Sequence, residues 1–376
     1  MYLKKSAVHA ADPAPVRERC LEIAPSTRRK KVVIQLPRRA GIGDIASRYR
    51  WELESLDPIA EIVEVNATTR TDFIAGARDA DALITSWGFP ITREIIERLD
   101  RCVVIGVGSV GVDMVDVDAA TDLGIVVTNV PDVFTEEVAD HTMMLLLAVA
   151  RRAKHMDALA AGGQWSEGWD VLSQVPRLWG QTLGLISFGN VAQAVARRAS
   201  AFGMRIIAHD PFVSELKMTA EGVEPVSLGE LLERSDYVSV HPAHNSDTYH
   251  MLSTAQFETM KPTAALVNCG RGATVDEAAL IEALKQGEIA GAGLDVLEQE
   301  PPDRDNPLLR MSNVIVTPHV AAATTRMRPE TRRRVGHEVA LVLSGRWPMS
   351  CVNPTVLPRT PLERWQPYPM DRGPNR

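Results

Sequence analysis

Ten short runs of consecutive apolar, largely β-branched residues punctuate the chain. KVVIQL, DALITS, RCVVIGV and GIVVTNV come first, then TLGLISF, MRIIAHD, YVSVHP, AALVNCG, AGAGLDV and NVIVTPH. Runs without polar alternation suit strands covered on both faces, and the segments between them carry helical spacing. Strand and helix in alternation imply parallel sheets, so the pattern predicts an α/β protein with two doubly wound sheets. Thr135, followed by Glu137 and Val138, opens a predicted helix through EEVADHTMMLLLAVARRAKHM. That segment is apolar on nearly every side, so it is expected to be buried between domains or subunits. Asp276 is placed to cap EAALIEALKQG, which Gly287 would stop.

Composition narrows the picture. A chain of 376 residues exceeds what one hydrophobic core usually serves, which favours two domains. The net charge of -7 and a pI near 5.8 give no global field for nucleic acid or an anionic membrane. Cys20, Cys102, Cys269 and Cys351 lie far apart with no C-x-x-C pair, so they read as reduced thiols and no metal is expected. The first twenty residues lack a signal-peptide core, and the longest apolar run, Met143 to Ala150, is too short to span a bilayer. A cytoplasmic protein is the expectation. Residues 1–30 read as an arm, and the Pro-rich stretch 354–376 as a tail draped over the body or a neighbouring subunit through Trp365 and Tyr368.

Candidate chemistry begins at LGLISFGNVAQAVARRA. A dinucleotide-binding turn spells G-x-G-x-x-G between strand and helix, and here those places hold Ser187, Gly189 and Ala192. The following strand ends in Asp210, 21 residues after Gly189. A carboxylate there accepts hydrogen bonds from an adenosine ribose and repels a 2′-phosphate, which favours NAD over NADP. Taken alone, the turn reads equally well as a tight core turn.

Further along, Arg271, Glu300 and His319 stand at or just beyond strand ends, where parallel sheets form their crevice. Arg271 offers a rigid fork for a carboxylate. His319 can give or take a proton near neutrality, and a carboxylate such as Glu300 would hold its ring and favour its cation. Together they make an anchor, a tuner and an acid/base for hydride transfer. Singly, each also reads as an ordinary ion pair, turn residue or loop histidine.

The order and spacing of NVPDVFTEEVADHTMMLLLAVAR, the Ser187–Ala192 turn, VNCGRGATVDEAAL, AGLDVLEQEP and VTPHVAAAT resemble the NAD-dependent D-2-hydroxyacid dehydrogenase family. The likeness runs from about Lys31 to Pro354, nearest the branch of the C-terminal-binding proteins and D-3-phosphoglycerate dehydrogenases. It implies a Rossmann-type NAD domain of 131–319, and a flavodoxin-like substrate domain built from 31–130 and 320–353. It also implies that Arg271 grips the carboxylate and carbonyl of a small 2-oxo acid, that Glu300 pairs with His319, and that His319 is the general acid. NAD(H) contacts would come from Ser187, Gly189, Asn190 and Val191 at the turn, with Asp210 on the ribose and Pro242, Ala243 and Thr248 on the adenosine side. Cys269, Gly270, Arg271 and His319 would line the nicotinamide, and Asp295 would hold its carboxamide. The loop TSWGFP would bind substrate through backbone amides around Trp87 and Gly88, and the helix from Thr135 would build a homodimer.

Four departures from the family pattern stand out. Ser187 and Ala192 replace glycines, Ala243 replaces a proline, Ser109 and Met114 alter the segment VIGVGSVGVDMVD, and no regulatory domain follows Asn353. Two other readings stay open: an NAD-sensing interaction protein, and a phosphite-type dehydrogenase. Glu300 speaks against a formate enzyme, which carries glutamine there. The Arg-rich TTRMRPETRRRVGHE reads as a solvated helix face rather than a cation site for a second acidic group.

Overall fold

The computed structural model describes residues 28–35, 44–67, 69–85 and 89–365. Trp87, Gly88, Cys20 and Tyr368 lie outside the described residues. Two parallel sheets organise the chain. Strands β1 (Lys30–Gln35), β2 (Ala60–Val65), β3 (Ala82–Thr85), β4 (Val104–Val107) and β5 (Val126–Thr128) form the first, in the order β2-β1-β3-β4-β5. The second takes β6 (Thr182–Ile186), β7 (Arg205–His209), β8 (Glu224–Pro225), β9 (Tyr237–Val240), β10 (Ala265–Asn268), β11 (Gly291–Leu294) and β12 (Val314–Val316). Their order, β12-β11-β10-β9-β6-β7-β8, reverses direction between β6 and β9. The first order is flavodoxin-like, and the second is the doubly wound nucleotide-binding order extended by one strand.

All ten strands read from the sequence are present, and β2 and β8 are additional. β2 occupies a sheet edge and carries Glu61 and Glu64 among its apolar residues, so it lacks the continuous apolar run that marks a strand covered on both faces. β8 is a two-residue edge strand.

The helix opened by Thr135 ends at Ala150, earlier than its apolar run suggests. Arg152 turns into the left-handed region at φ 49°, and a separate helix, Ala153–Ala161, follows. Arg151 and Arg152 are both exposed, so no apolar face remains there to carry the first helix onward. One side of Thr135–Ala150 packs on β10, β11 and the helix Asn190–Ala201, whereas Met144 stays open to solvent. Asp276 caps the helix Glu277–Gln286 by accepting from the Ala279 amide, and Gly287 stops it at φ 72°.

The helix Met327–Leu343 returns to the first sheet, where Val335 and Val339 cover Gly106 of β4. Its arginines grip the helix Arg50–Leu56 and a neighbouring loop: Arg332 pairs with the buried Glu52, Arg333 with Glu54 and Arg334 with Asp132. The last described stretch lies along this same unit. Arg359 donates to the carbonyls of Leu99, Cys102 and Leu123, Trp347 donates its amide to Glu363 O, and the Trp365 indole donates to Trp347 O.

Candidate active site

Parallel pairing puts Asn268, Leu294 and Val316 in register at the ends of β10, β11 and β12. The residues that follow each therefore leave the sheet at one level. They are Arg271 after β10, Asp295 after β11, and Thr317 and His319 after β12.

His319 Nδ1 lies 2.7 Å from Glu300 Oε2. Glu300 Oε1 also accepts the Leu297 amide at 3.0 Å. Burial by itself would raise the Glu300 carboxyl, but the bond to His319, the Leu297 amide and the nearby Arg271 charge outweigh it and hold the carboxyl below its ordinary range. An ionised Glu300 accepts from Nδ1–H, which leaves Nε2 as the proton-exchanging atom of His319.

The loop that carries His319 hangs on Asp295. His319 donates its amide to Asp295 O at 2.8 Å, while Val320 and Ala321 donate theirs to the Asp295 carboxylate at 3.0 and 2.8 Å. Asp295 is 1% exposed.

Arg271 is oriented from both sides. Its Nε donates to Asp113 Oδ2 at 3.0 Å, from the loop after β4 of the other sheet, and Nη1 donates to Gly270 O at 2.9 Å. Asn268 shapes this loop by accepting the Gly270 amide and donating to Arg271 O. Gly272 has to be a glycine: a Cβ there would stand 1.9 Å from Leu297 O. Cys269 lies beside them, its thiol pushed up to about 12 by burial and so neutral, a lining group rather than a nucleophile.

At the nucleotide turn, Ser187 takes φ 71°, the left-handed conformation a glycine usually supplies. Its hydroxyl donates to Asp210 Oδ2 at 3.1 Å, beside the Phe188 amide at 2.8 Å. Asp210 Oδ1 accepts the Phe212 amide at 2.8 Å. Ala192 is fully buried against the sheet. Gly189 precedes the helix Asn190–Ala201, and a Cβ there would meet nothing within 4 Å. The protein's own packing therefore does not require this glycine. The first amides of the helix, at Asn190 and Val191, have no intrahelical acceptor and suit a pyrophosphate. These groups and Asp210 fit a dinucleotide.

On the adenosine side, the Thr248 hydroxyl donates to Ala243 O and accepts the Asn245 amide, which closes the loop after Pro242. His241, before that loop, is driven down to about 4 by burial and meets Ser239 Oγ at 2.9 Å. Asp113, Asn268, Thr317 and His141 were not singled out from the sequence. All four lie within motifs that were, but a side chain that orients a neighbour has no spacing signature of its own.

Residues 143–321 match the model of the D-isomer specific 2-hydroxyacid dehydrogenase NAD binding domain. The chain is 42% identical over 285 residues to a glyoxylate reductase of Korarchaeum cryptofilum, covering 76% of this chain and 86% of that one. The chain belongs to this dehydrogenase family. With it, the chain joins the NAD-dependent oxidoreductases that act on the CH–OH group of 2-hydroxy acids. It is also 38% identical over 317 residues to a D-3-phosphoglycerate dehydrogenase of Methanocaldococcus jannaschii, covering 84% of this chain but only 60% of that longer protein. The D-lactate dehydrogenase of Aquifex aeolicus, solved with NAD and lactic acid, superposes with a TM-score of 0.72 at 27% identity. That superposition covers 84% of this chain and 96% of the other. No described helix is long and apolar enough to cross a membrane.

Proposed function

We propose that this dehydrogenase reduces a small 2-oxo acid to the D-2-hydroxy acid with NADH, using Arg271 as carboxylate anchor and His319 as proton donor. The observation that carries the reading is the His319–Glu300 pair within reach of the Arg271 charge, with Arg271 and His319 in the loops that leave in-register strand ends. The bound nicotinamide would supply the hydride to C2 of the substrate. Arg271, held by Asp113 and Gly270 O, turns its remaining N–H groups toward the carboxylate and carbonyl oxygen. His319 then delivers its Nε2 proton to that oxygen while Glu300 stabilises the cation that existed before transfer. Ser187, Gly189, Asn190, Val191 and Asp210 would hold the adenosine diphosphate, Pro242, Ala243 and Thr248 its adenosine edge, and Cys269, Gly270 and Asp295 the nicotinamide side. Trp87 and Gly88 would complete the carboxylate site.

In this reading, residues 131–319 form the NAD domain and 31–130 with 320–353 the substrate domain. The protein works in the cytoplasm as a homodimer. Trp165 and Trp169, 84% and 82% exposed around the short helix Glu167–Leu172, support a dimer face. NADH oxidation with glyoxylate, hydroxypyruvate, pyruvate and phenylpyruvate tests the function. At least one is expected to turn over and to give a D product. Zero turnover with all four would sink the reading in favour of a cofactor-sensing protein. His319→Ala is expected to lower kcat at least about a hundredfold, the usual scale of general acid catalysis, with the Kd for NADH little changed.

A further inference from the structure

His141, on the helix Thr135–Ala150, belongs to none of the groups assigned so far, yet it reaches the support of the catalytic loop. Its Nε2 lies 2.9 Å from Thr317 Oγ1 and 3.4 Å from Asp295 Oδ1. Thr317 Oγ1 donates to Asp295 Oδ1 at 2.5 Å. A hydroxyl has one proton, and this one is committed to the carboxylate, so the Thr317 oxygen meets His141 as an acceptor. The contact therefore requires a proton on Nε2 of His141.

Asp295 in turn carries the 319–321 backbone through three amides. His319 itself stands at φ 53°, a left-handed conformation that a non-glycine residue keeps only when its surroundings impose it. Two of the three amides, from Val320 and Ala321, reach the Asp295 carboxylate, which is buried and needs its donors in place.

We infer that His141 is a positioning residue for His319, acting through Thr317 and Asp295 to fix where the catalytic imidazole stands. The turnover part of this inference rests on the proposed reductase function; the placement of the imidazole does not. Without the His141 donor, the Thr317–Asp295 pair loses the N–H that ties it to the helix Thr135–Ala150, and the peptide segment bearing His319 loses part of its support. Displacement of a proton donor by about 1 Å costs up to a hundredfold in rate.

The test uses His141→Leu, which removes the donor, and His141→Gln, whose amide nitrogen reaches about as far as Nε2. Thr317→Val removes the connecting hydroxyl at nearly constant volume. With the best 2-oxo acid, H141L and T317V are each expected to lower kcat about tenfold while the Kd for NADH, read by fluorescence, stays within about twofold. H141Q recovers most of the loss, and the double variant H141L/T317V is no slower than the slower single one. The imidazole N–H resonance of His319 in the 15N-histidine-labelled NADH complex, identified by its disappearance in H319Q, shifts in H141L and returns in H141Q. Wild-type kcat in H141L or T317V, an H141Q as impaired as H141L, or an unmoved resonance overturns the inference. If the wild type reduces no oxo acid, the proposed function fails on its own, and the resonance still decides the role of His141.

Discussion

Ser187 and His319 both hold positive φ without being glycine, and each is fastened through an aspartate, Ser187 by the Asp210 carboxylate and His319 by the backbone carbonyl of Asp295, whose carboxylate holds the next two amides. At Ser187 the fastening is local, because the Phe188 and Phe212 amides hold Asp210 as well. Ser187→Gly is therefore expected to relieve about 1 kcal/mol of backbone strain, raising the melting temperature. The Kd for NADH should stay within about threefold, under 1 kcal/mol. A tenfold weaker Kd would show that the hydroxyl itself takes part in binding. Glu300 sets the pH behaviour. Its carboxyl is depressed in the folded protein, so the bond to His319 contributes above the ordinary carboxyl range and is lost as pH falls through the lowered folded value. Glu300→Gln removes the carboxylate that accepts from His319 Nδ1 and orients the ring, so kcat for oxo-acid reduction is expected to fall at least about tenfold, equal to about 1.4 kcal/mol; an unchanged kcat would count against the pairing. Arg271, Glu300 and His319 were legible in the sequence because charged groups at strand ends have a defined place in parallel sheets. Asp113 and Thr317 were not, since their part depends on which loop of the folded chain lies opposite them.

At the scale of elements, continuous apolar runs identified every fully covered strand, and what escaped was the sheet margin. β2 is interrupted by Glu61 and Glu64, and Glu64 pairs with Arg48 at that edge. The Arg-rich helix is not simply a solvated face: Arg332 spans to the buried Glu52 and to Arg48 O, so its charges join two helices of the first unit. A pattern of charges in one helix cannot reveal which neighbour neutralises it. The loop between β10 and the helix Glu277–Gln286 is tightly packed at Gly272. Gly272→Ala would drive a methyl into the backbone at Leu297 and Glu298, and overpacking of this kind costs about 1–3 kcal/mol. It should also push Arg271 off its position, so KM for the oxo acid is expected to rise at least about tenfold, equal to about 1.4 kcal/mol of lost substrate binding. Unchanged KM with unchanged melting would show that the loop can yield.

Across the whole molecule, two features follow from how the two sheets share the chain. The helix Glu167–Leu172 and the turn before it project Trp169 and Trp165 into solvent. If they meet a second copy, light scattering should give twice the chain mass of 41.2 kDa, and Trp165→Glu with Trp169→Glu should halve it. A wild-type monomer would dispose of this face. The second feature is the late arrival of the first sheet's cover. Strands β1 to β5 are complete by Thr128, but Val335, Val339 and the Arg359 clamp come only after the entire second sheet. During synthesis at roughly 5–20 residues per second, the part of that face not covered by the helix Arg50–Leu56 waits on the order of 10–40 s for its second helix. The nucleotide-binding unit, by contrast, is continuous and can close as it emerges. The segment made first is thus the one finished last, and its exposed strands are where a nascent-chain chaperone would be expected to bind.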